Sequence, residues 1–252
     1  MSSVVVESIS AATIAVKSSL AEIRGNFSAS QSLSLETVAE PINANIYLSN
    51  NGDYTQPTYL RLNTGNSELN ANISVYLPSN AKKHHNRSQN FVAHAETFNA
   101  PLSIRLVHDP ESIPAAILLH AESNLGNAVV SVDRHFSGTF DVATMFAAAE
   151  VLYSNNTSLD NDSGNSSSQL DMMMNNILDS GDGDDDSDDS GTPSPSSNSS
   201  RCLEYDLISD SRMSGWIGTP PRPTPSGRHG LNGQGHIGVV SSLNSAQLVL
   251  EP

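Results

Sequence analysis

Apolar and polar residues alternate along most of the chain, in runs of five to nine residues broken by polar corners. Leu33-Ser34-Leu35-Glu36-Thr37, Ile42-Asn43-Ala44-Asn45-Ile46-Tyr47-Leu48 and Leu69-Asn70-Ala71-Asn72-Ile73-Ser74-Val75 keep a period of two, the mark of a half-buried strand. The clearest unit is His94-Ala95-Glu96-Thr97-Phe98-Asn99-Ala100-Pro101-Leu102-Ser103-Ile104, which reads as strand, corner, strand. Related units surround Thr37, Thr64, Ser123 and Thr144, and a last one spans Gly235 to Leu250 with its corner at Ser242. Residues 141–153 also fit a helix, but Thr144 stands where a corner is expected, which favours strand.

Self-similarity at intervals of about 20 to 35 residues points to stacked supersecondary units. The corner Thr or Ser has a structural reason, since its hydroxyl can bond a nearby backbone amide. Ile23-Arg24-Gly25-Asn26-Phe27 and Phe136-Ser137-Gly138-Thr139-Phe140 share a Gly-x-Phe element, and glycine inside a strand marks a bulge or the close approach of another backbone. Residues 1–22 form an N-terminal segment, read as a partial unit with two apolar runs around a polar corner at Ser8 to Ala12. Residues 23–153 form the β domain, 154–200 an insertion, and 201–252 the strands that complete the domain, with a Pro/Gly-rich loop at 219–235. The predicted fold is all-β, with repeated strand-corner-strand units in a β-solenoid-like stack and a twisted β-sandwich as the alternative.

Glu96-Thr97-Phe98-Asn99-Ala100-Pro101-Leu102-Ser103-Ile104, with the units around Thr37 and Thr64, Phe136 to Phe140 and Val239 to Asn244, resembles an uncharacterised fungal, basidiomycete-type β-repeat family. Its members carry Thr-Ser-Asn-Ala-Pro-like motifs, and it has a distant likeness to adhesin-like repeat domains. The resemblance implies a β-rich scaffold and carries no active site.

Composition changes this picture mainly in residues 154–200. The formal charge of the chain is −15, and ten of its acidic residues are Asp between Asp160 and Asp189, so the rest carries −5. That stretch is rich in Asn, Ser, Asp and Gly, and a segment so poor in apolar residues is expected to be disordered. No cluster of positive charge suits nucleic acid or an anionic membrane. The basic run Lys82-Lys83-His84-His85-Asn86-Arg87 is short and lies in a loop. No apolar run is long enough to span a bilayer, and residues 1–20 lack the pattern of a signal peptide. With one cysteine, Cys202, the chain is expected to be soluble and cytoplasmic.

Candidate chemistry is sparse. Gly233-Gln234-Gly235-His236-Ile237-Gly238 fits G-x-G-x-x-G, but a Pro/Gly loop precedes it and β-branched residues follow, so no dinucleotide or other cofactor is expected. Asp182 to Asp189 lacks the spaced oxygens and closing Glu of a calcium loop. His94 and His120 occupy equivalent places in successive units and are expected to stack, without the spacing of a zinc enzyme. Glu36, Glu96 and Glu122 precede corners and would align on stacked units, which supports the alternative of a carbohydrate-active β-helical enzyme. The favoured expectation is a non-enzymatic scaffold or protein-interaction domain with no assigned catalytic residue. Ser180, Ser187, Thr192 and Ser194 are candidate phosphoacceptors, which would make the acidic insertion regulatory. Pro220-Pro221-Arg222-Pro223-Thr224-Pro225 fits a polyproline II ligand for an SH3-like partner.

Overall fold

A computed structural model describes residues 2–50, 56–79, 89–154, 201–223 and 234–252. They form fifteen strands and no helix. In chain order these are β1 (Ser2–Ser18), β2 (Ala21–Thr37), β3 (Ile42–Ser49), β4 (Thr58–Thr64), β5 (Leu69–Tyr76), β6 (Phe91–Thr97), β7 (Leu102–His108) and β8 (Ile117–Ser123). There follow β9 (Ala128–Val132), β10 (Gly138–Thr144), β11 (Ala149–Tyr153), β12 (Cys202–Ser209), β13 (Arg212–Gly218), β14 (Gly235–Ser241) and β15 (Ala246–Leu250).

Two parallel ladders carry the stack. The second half of β2, then β4, β6, β8, β14 and β10, form the first ladder. The first half of β2, then β3, β5, β7, β9, β15 and β11, form the second. Each coil runs up a strand of the first ladder, turns a four-residue corner and enters the second. Register keeps like residues in columns: Leu35, Leu62, Ala95, Ala121, Val239 and Val142 stack in one. Ile23, Ile42, Leu69, Leu102, Ala128, Ala246 and Ala149 stack in another. These residues are buried, and burial alternates along nearly every strand. Parallel sheets usually have both faces covered. Here each ladder buries one face only, and the in-register parallel stack selects the solenoid over the sandwich.

Three expectations are corrected. Residues 2–18 contain no corner; β1 is one strand parallel to β2 across both ladders, because Ser8 to Ala12 holds no Gly, Pro, Asn or Asp and its pairing with β2 continues through two register shifts. Ile23 to Phe27 and Leu33 to Thr37 likewise belong to one strand of 17 residues, β2. The last corner residue is Ser241, which pairs with Ser123 and is fully buried, while Ser242 points to the half-exposed side. Residues 141–144 and 149–153 are strands, as the corner at Thr144 suggested.

The order of stacking departs from the order of sequence. The coil β14–β15 sits between the coils β8–β9 and β10–β11, which are consecutive in the chain. Gly138 and Gly235 face each other where β10 meets β14; a Cβ on Gly138 would lie 2.1 Å from the Gly235 carbonyl oxygen. Gly25, with φ +151°, does the same at a bulge in β1, where a Cβ would lie 1.9 Å from the Val6 oxygen. The two Gly-x-Phe elements thus share a reason, close backbone approach, on different ladders. Beyond β10 the antiparallel hairpin β12–β13 extends the first ladder, with Trp216 buried and Tyr205 edge-on to Phe140 at 5.9 Å.

Candidate functional site

The most ordered polar feature is internal. Thr37, Thr64, Thr97, Ser123, Ser241 and Thr144 stand in one column at the corners. The hydroxyls of Thr64, Ser123 and Ser241 both donate and accept. Thr97 donates to Ser67 O of the coil before it (3.2 Å), Ser123 to Ala100 O (3.0 Å) and Ser241 to Gly126 O (2.9 Å). Corner oxygens also accept from the amide three residues on: Ser67 N onto Thr64, Gly126 N onto Ser123, Asn244 N onto Ser241. Thr97, Ser123 and Ser241 hold one coil to the next, and the corner hydroxyls of Thr37, Thr64, Thr97, Ser123 and Ser241 are buried away from any ligand in solvent. A second buried polar contact lies at the other end of the strands, where Asn50 Nδ2 donates to Asn90 O and Asn90 Oδ1 accepts from Ala116 N.

On the outer face of the first ladder, Glu36, Asn63, Glu96 and Glu122 form one column. Glu96 and Glu122 are register neighbours; Glu36 is set apart by Asn63. In the next column Arg61, His94 and His120 align, and the two imidazoles stack at 5.4 Å and 10°. The expected histidine stack is therefore present. Each imidazole reaches its own glutamate, His94 to Glu96 at 3.5 Å and His120 to Glu122 at 3.3 Å. Glu36 is held below the usual carboxylate range by the Lys17 ammonium, which donates to it, and by Ser34. His236, whose Nδ1 lies 2.9 Å from the Thr139 hydroxyl, has its pKa pushed down by burial. Among the described residues no group of three or more His, Cys, Asp or Glu is placed to hold a metal ion.

Sequence reasoning missed a tight knot at the end of the second ladder. Asp133 follows β9 and opens the crossover to β10. Its carboxylate accepts from His108 N (2.7 Å), His108 Nδ1 (2.9 Å), His135 N (3.2 Å) and His135 Nδ1 (3.3 Å). Burial alone would raise its pKa, but the hydrogen bonds and charge of His108, joined by His135, pull it down to about 2. His108 ends β7, while Asp133 and His135 lie in the loop before β10, and nothing in their spacing signals the contact.

The outer face of the second ladder is a field of amides. Asn45 donates to Asn26 (3.0 Å), Asn72 to Asn45 (3.1 Å) and Asn70 to Asn43 (3.2 Å). Two shallow depressions meet on this ladder. One, of ≈ 400 Å³, lies toward Arg24, Asn43, Asn70 and Arg105; the other, of ≈ 310 Å³, toward Ser28, Tyr47 and Ser74. Tyr47 stacks on Tyr76 at 6.3 Å, and burial, followed by the charge of Asp109, raises its pKa. Arg105 is closed by a bidentate pair with Glu251 at 2.7 Å. The alternating Asn of Asn43, Asn45, Asn70 and Asn72 was the available signal.

The far edge of the stack is open. β1 pairs with β2, and its opposite edge has no strand partner among the described residues. Among its described side chains, residues 3–18, only Ile14 is buried; Val5 is 68% and Ile9 40% exposed.

Ser180, Ser187, Thr192 and Ser194, the basic run at residues 82–87, and Thr224 with Pro225 lie outside the described residues. Pro220 to Pro223 follow β13, and Arg222 is engaged with Asp206 at 2.6 and 2.7 Å. Gly235 begins β14 and Gly238 lies inside it. Cys202 is a free thiol, partly buried. No helix among the described residues is long and apolar enough to cross a membrane. Compared with known proteins, the chain matches no family model, no curated protein and no solved structure.

Proposed function

We propose that the protein is a non-enzymatic interaction scaffold that pairs a strand of a partner polypeptide with β1. The observation that carries this reading is the difference between the two edges of the first ladder. At one end the hairpin β12–β13 extends β10, and its outer strand β12 is a short edge of eight residues that carries Glu204 and Asp206. At the other, β1 offers an edge of 17 residues with only Glu7 and Lys17 charged. A long, apolar, lightly charged edge is a template for strand addition, and native folds usually blunt such edges. The resemblance to the fungal β-repeat family belongs to the same proposal and is supported by residues 96–104, which form one strand-corner-strand step.

A cytoplasmic setting, in keeping with the unpaired Cys202, and a phosphorylation switch at Ser180, Ser187, Thr192 and Ser194 are parts of this proposal. The pairing of Glu96 and Glu122 with His94 and His120 favours a surface ladder over a catalytic acid–base pair. The test compares wild type with the double variant Val5→Lys/Ile9→Lys. A partner retained by wild type and lost by the variant, with slowed amide exchange along β1 in the complex, supports the reading. Equal retention, or protection elsewhere, refutes it. Turnover of a glycan that stops in Glu96→Gln would instead establish the enzyme.

A further inference from the structure

We propose that the outer face of the second ladder, along Asn26, Asn45 and Asn72 and beside Tyr47, binds a neutral, extended oligosaccharide. This face adjoins β1, whose Ser8 lines the depression beside Tyr47 and whose Glu7 O accepts from Asn26 Nδ2 at 2.7 Å. It lies on the side-chain face and not along the outer backbone edge of β1, and it does not depend on the scaffold reading.

Amide arithmetic is the first support. A side-chain amide has two N–H donors and a carbonyl with two acceptor positions. Asn45 spends one N–H on Asn26, and Asn72 spends one on Asn45. At least one donor remains on each of these two, and the accepting oxygens of Asn26 and Asn45 each keep a lone pair. Neighbouring strands repeat at about 4.8 Å. The face therefore offers donors and acceptors together, at regular intervals, to a ligand that carries both. Hydroxyls match that pattern; an anion, which only accepts, does not.

Charge is the second support. Of the two arginines flanking the amides, Arg105 is held by both oxygens of Glu251 at 2.7 Å. That leaves too little positive potential to select a polyanion. The third support is the tyrosine pair. Tyr47 shares its depression with Asn26, Asn45 and Asn72 and stacks on Tyr76. A flat aromatic surface beside hydrogen-bonding groups suits a sugar ring, which is apolar on its faces and polar at its rim. The amides sit on strands bonded on both sides, so little freedom is lost on binding.

The experiment is a titration of the full chain, followed by amide NMR, with cellohexaose, laminarihexaose and chitohexaose, and with a heparin hexasaccharide as the anionic arm. At least one neutral hexasaccharide is expected to shift the side-chain amides of Asn45 and Asn72, with a Kd on the order of 0.1–1 mM. Tyr47→Ala and Asn72→Ser are expected to weaken binding about tenfold while melting within about 3 °C of wild type. Lys17→Ala, on the other ladder, is expected to bind as wild type. The proposal fails if none of the three shifts these amides, if both variants that remain folded bind as wild type, or if heparin binds more tightly than every neutral probe.

Discussion

Asp133→Asn isolates a charge at the crossover that lets the C-terminal coil enter the stack. The substitution keeps the shape of the side chain and removes its negative charge. In the wild type that carboxylate meets four donors, and the His108 side chain beneath it is only 3% exposed. The other imidazole nitrogen of His108, Nε2, has no hydrogen-bond partner. Asparagine keeps one acceptor oxygen for these donors and turns the other position into an NH2 that faces donors, so the knot loses both its charge and half of its acceptors. Lowering the carboxyl from 3.8 to about 2 corresponds to about 2 kcal/mol of stability at neutral pH. Asp133 is 13% exposed, so solvent screening discounts that figure only modestly. For a domain of this size it amounts to about 4–8 °C in Tm. The sign follows from the direction of the shift. A carboxyl whose pKa is lower in the folded state stabilises at pH values above its unfolded pKa, and the contribution fades as pH falls toward 2. The gap between wild type and Asp133→Asn is expected in full at pH 7 and 5 and at about half that size at pH 3. Thermal unfolding followed by circular dichroism measures it. A gap below about 1 °C at pH 7, or one that stays as large at pH 3, would refute the reasoning.

Gly138→Ala places a methyl 2.1 Å from the backbone oxygen of Gly235, where no flexible group can yield; urea unfolding should show a loss of about 2 kcal/mol or more, with amide exchange faster in β14 and β15. Thr97→Val removes a fully buried corner hydroxyl and leaves Ser67 O without that donor; the expected loss is about 1–2 kcal/mol, read by the same method. Trp216→Ala empties the core of the hairpin cap and should cost about 3–5 kcal/mol; retention of wild-type stability would show that the cap contributes nothing. Replacing residues 156–199 by a short Gly/Ser linker should leave Tm within about 2 °C, because Met1–Asn155 and Ser200–Pro252 form one compact unit by themselves; a larger drop would make the tract structural.

The sequence by itself determined most of the strands, their inward faces and the corners at Thr37, Thr64, Thr97, Ser123 and Thr144. Alternation such as Leu69-Asn70-Ala71-Asn72-Ile73 assigns each side chain to a face, because successive residues of a strand point to opposite sides. The corner Thr and Ser residues were legible for the same local reason: a hydroxyl that serves its own turn must sit at a fixed offset from it. Even the stacking of His94 on His120 followed from their equivalent places in two units. Alternation carries no information on strand direction or on which strands are neighbours. Only the tertiary structure made the ladders parallel, joined β1 to β2 along its whole length, and set β14–β15 between β9 and β10. Those pairings are contacts between residues far apart in the chain, decided by which columns fill best against each other. The same holds for the functional surfaces. The amide ladder, the Asp133 knot and the open edge of β1 arise from juxtaposition across strands, which no local pattern encodes.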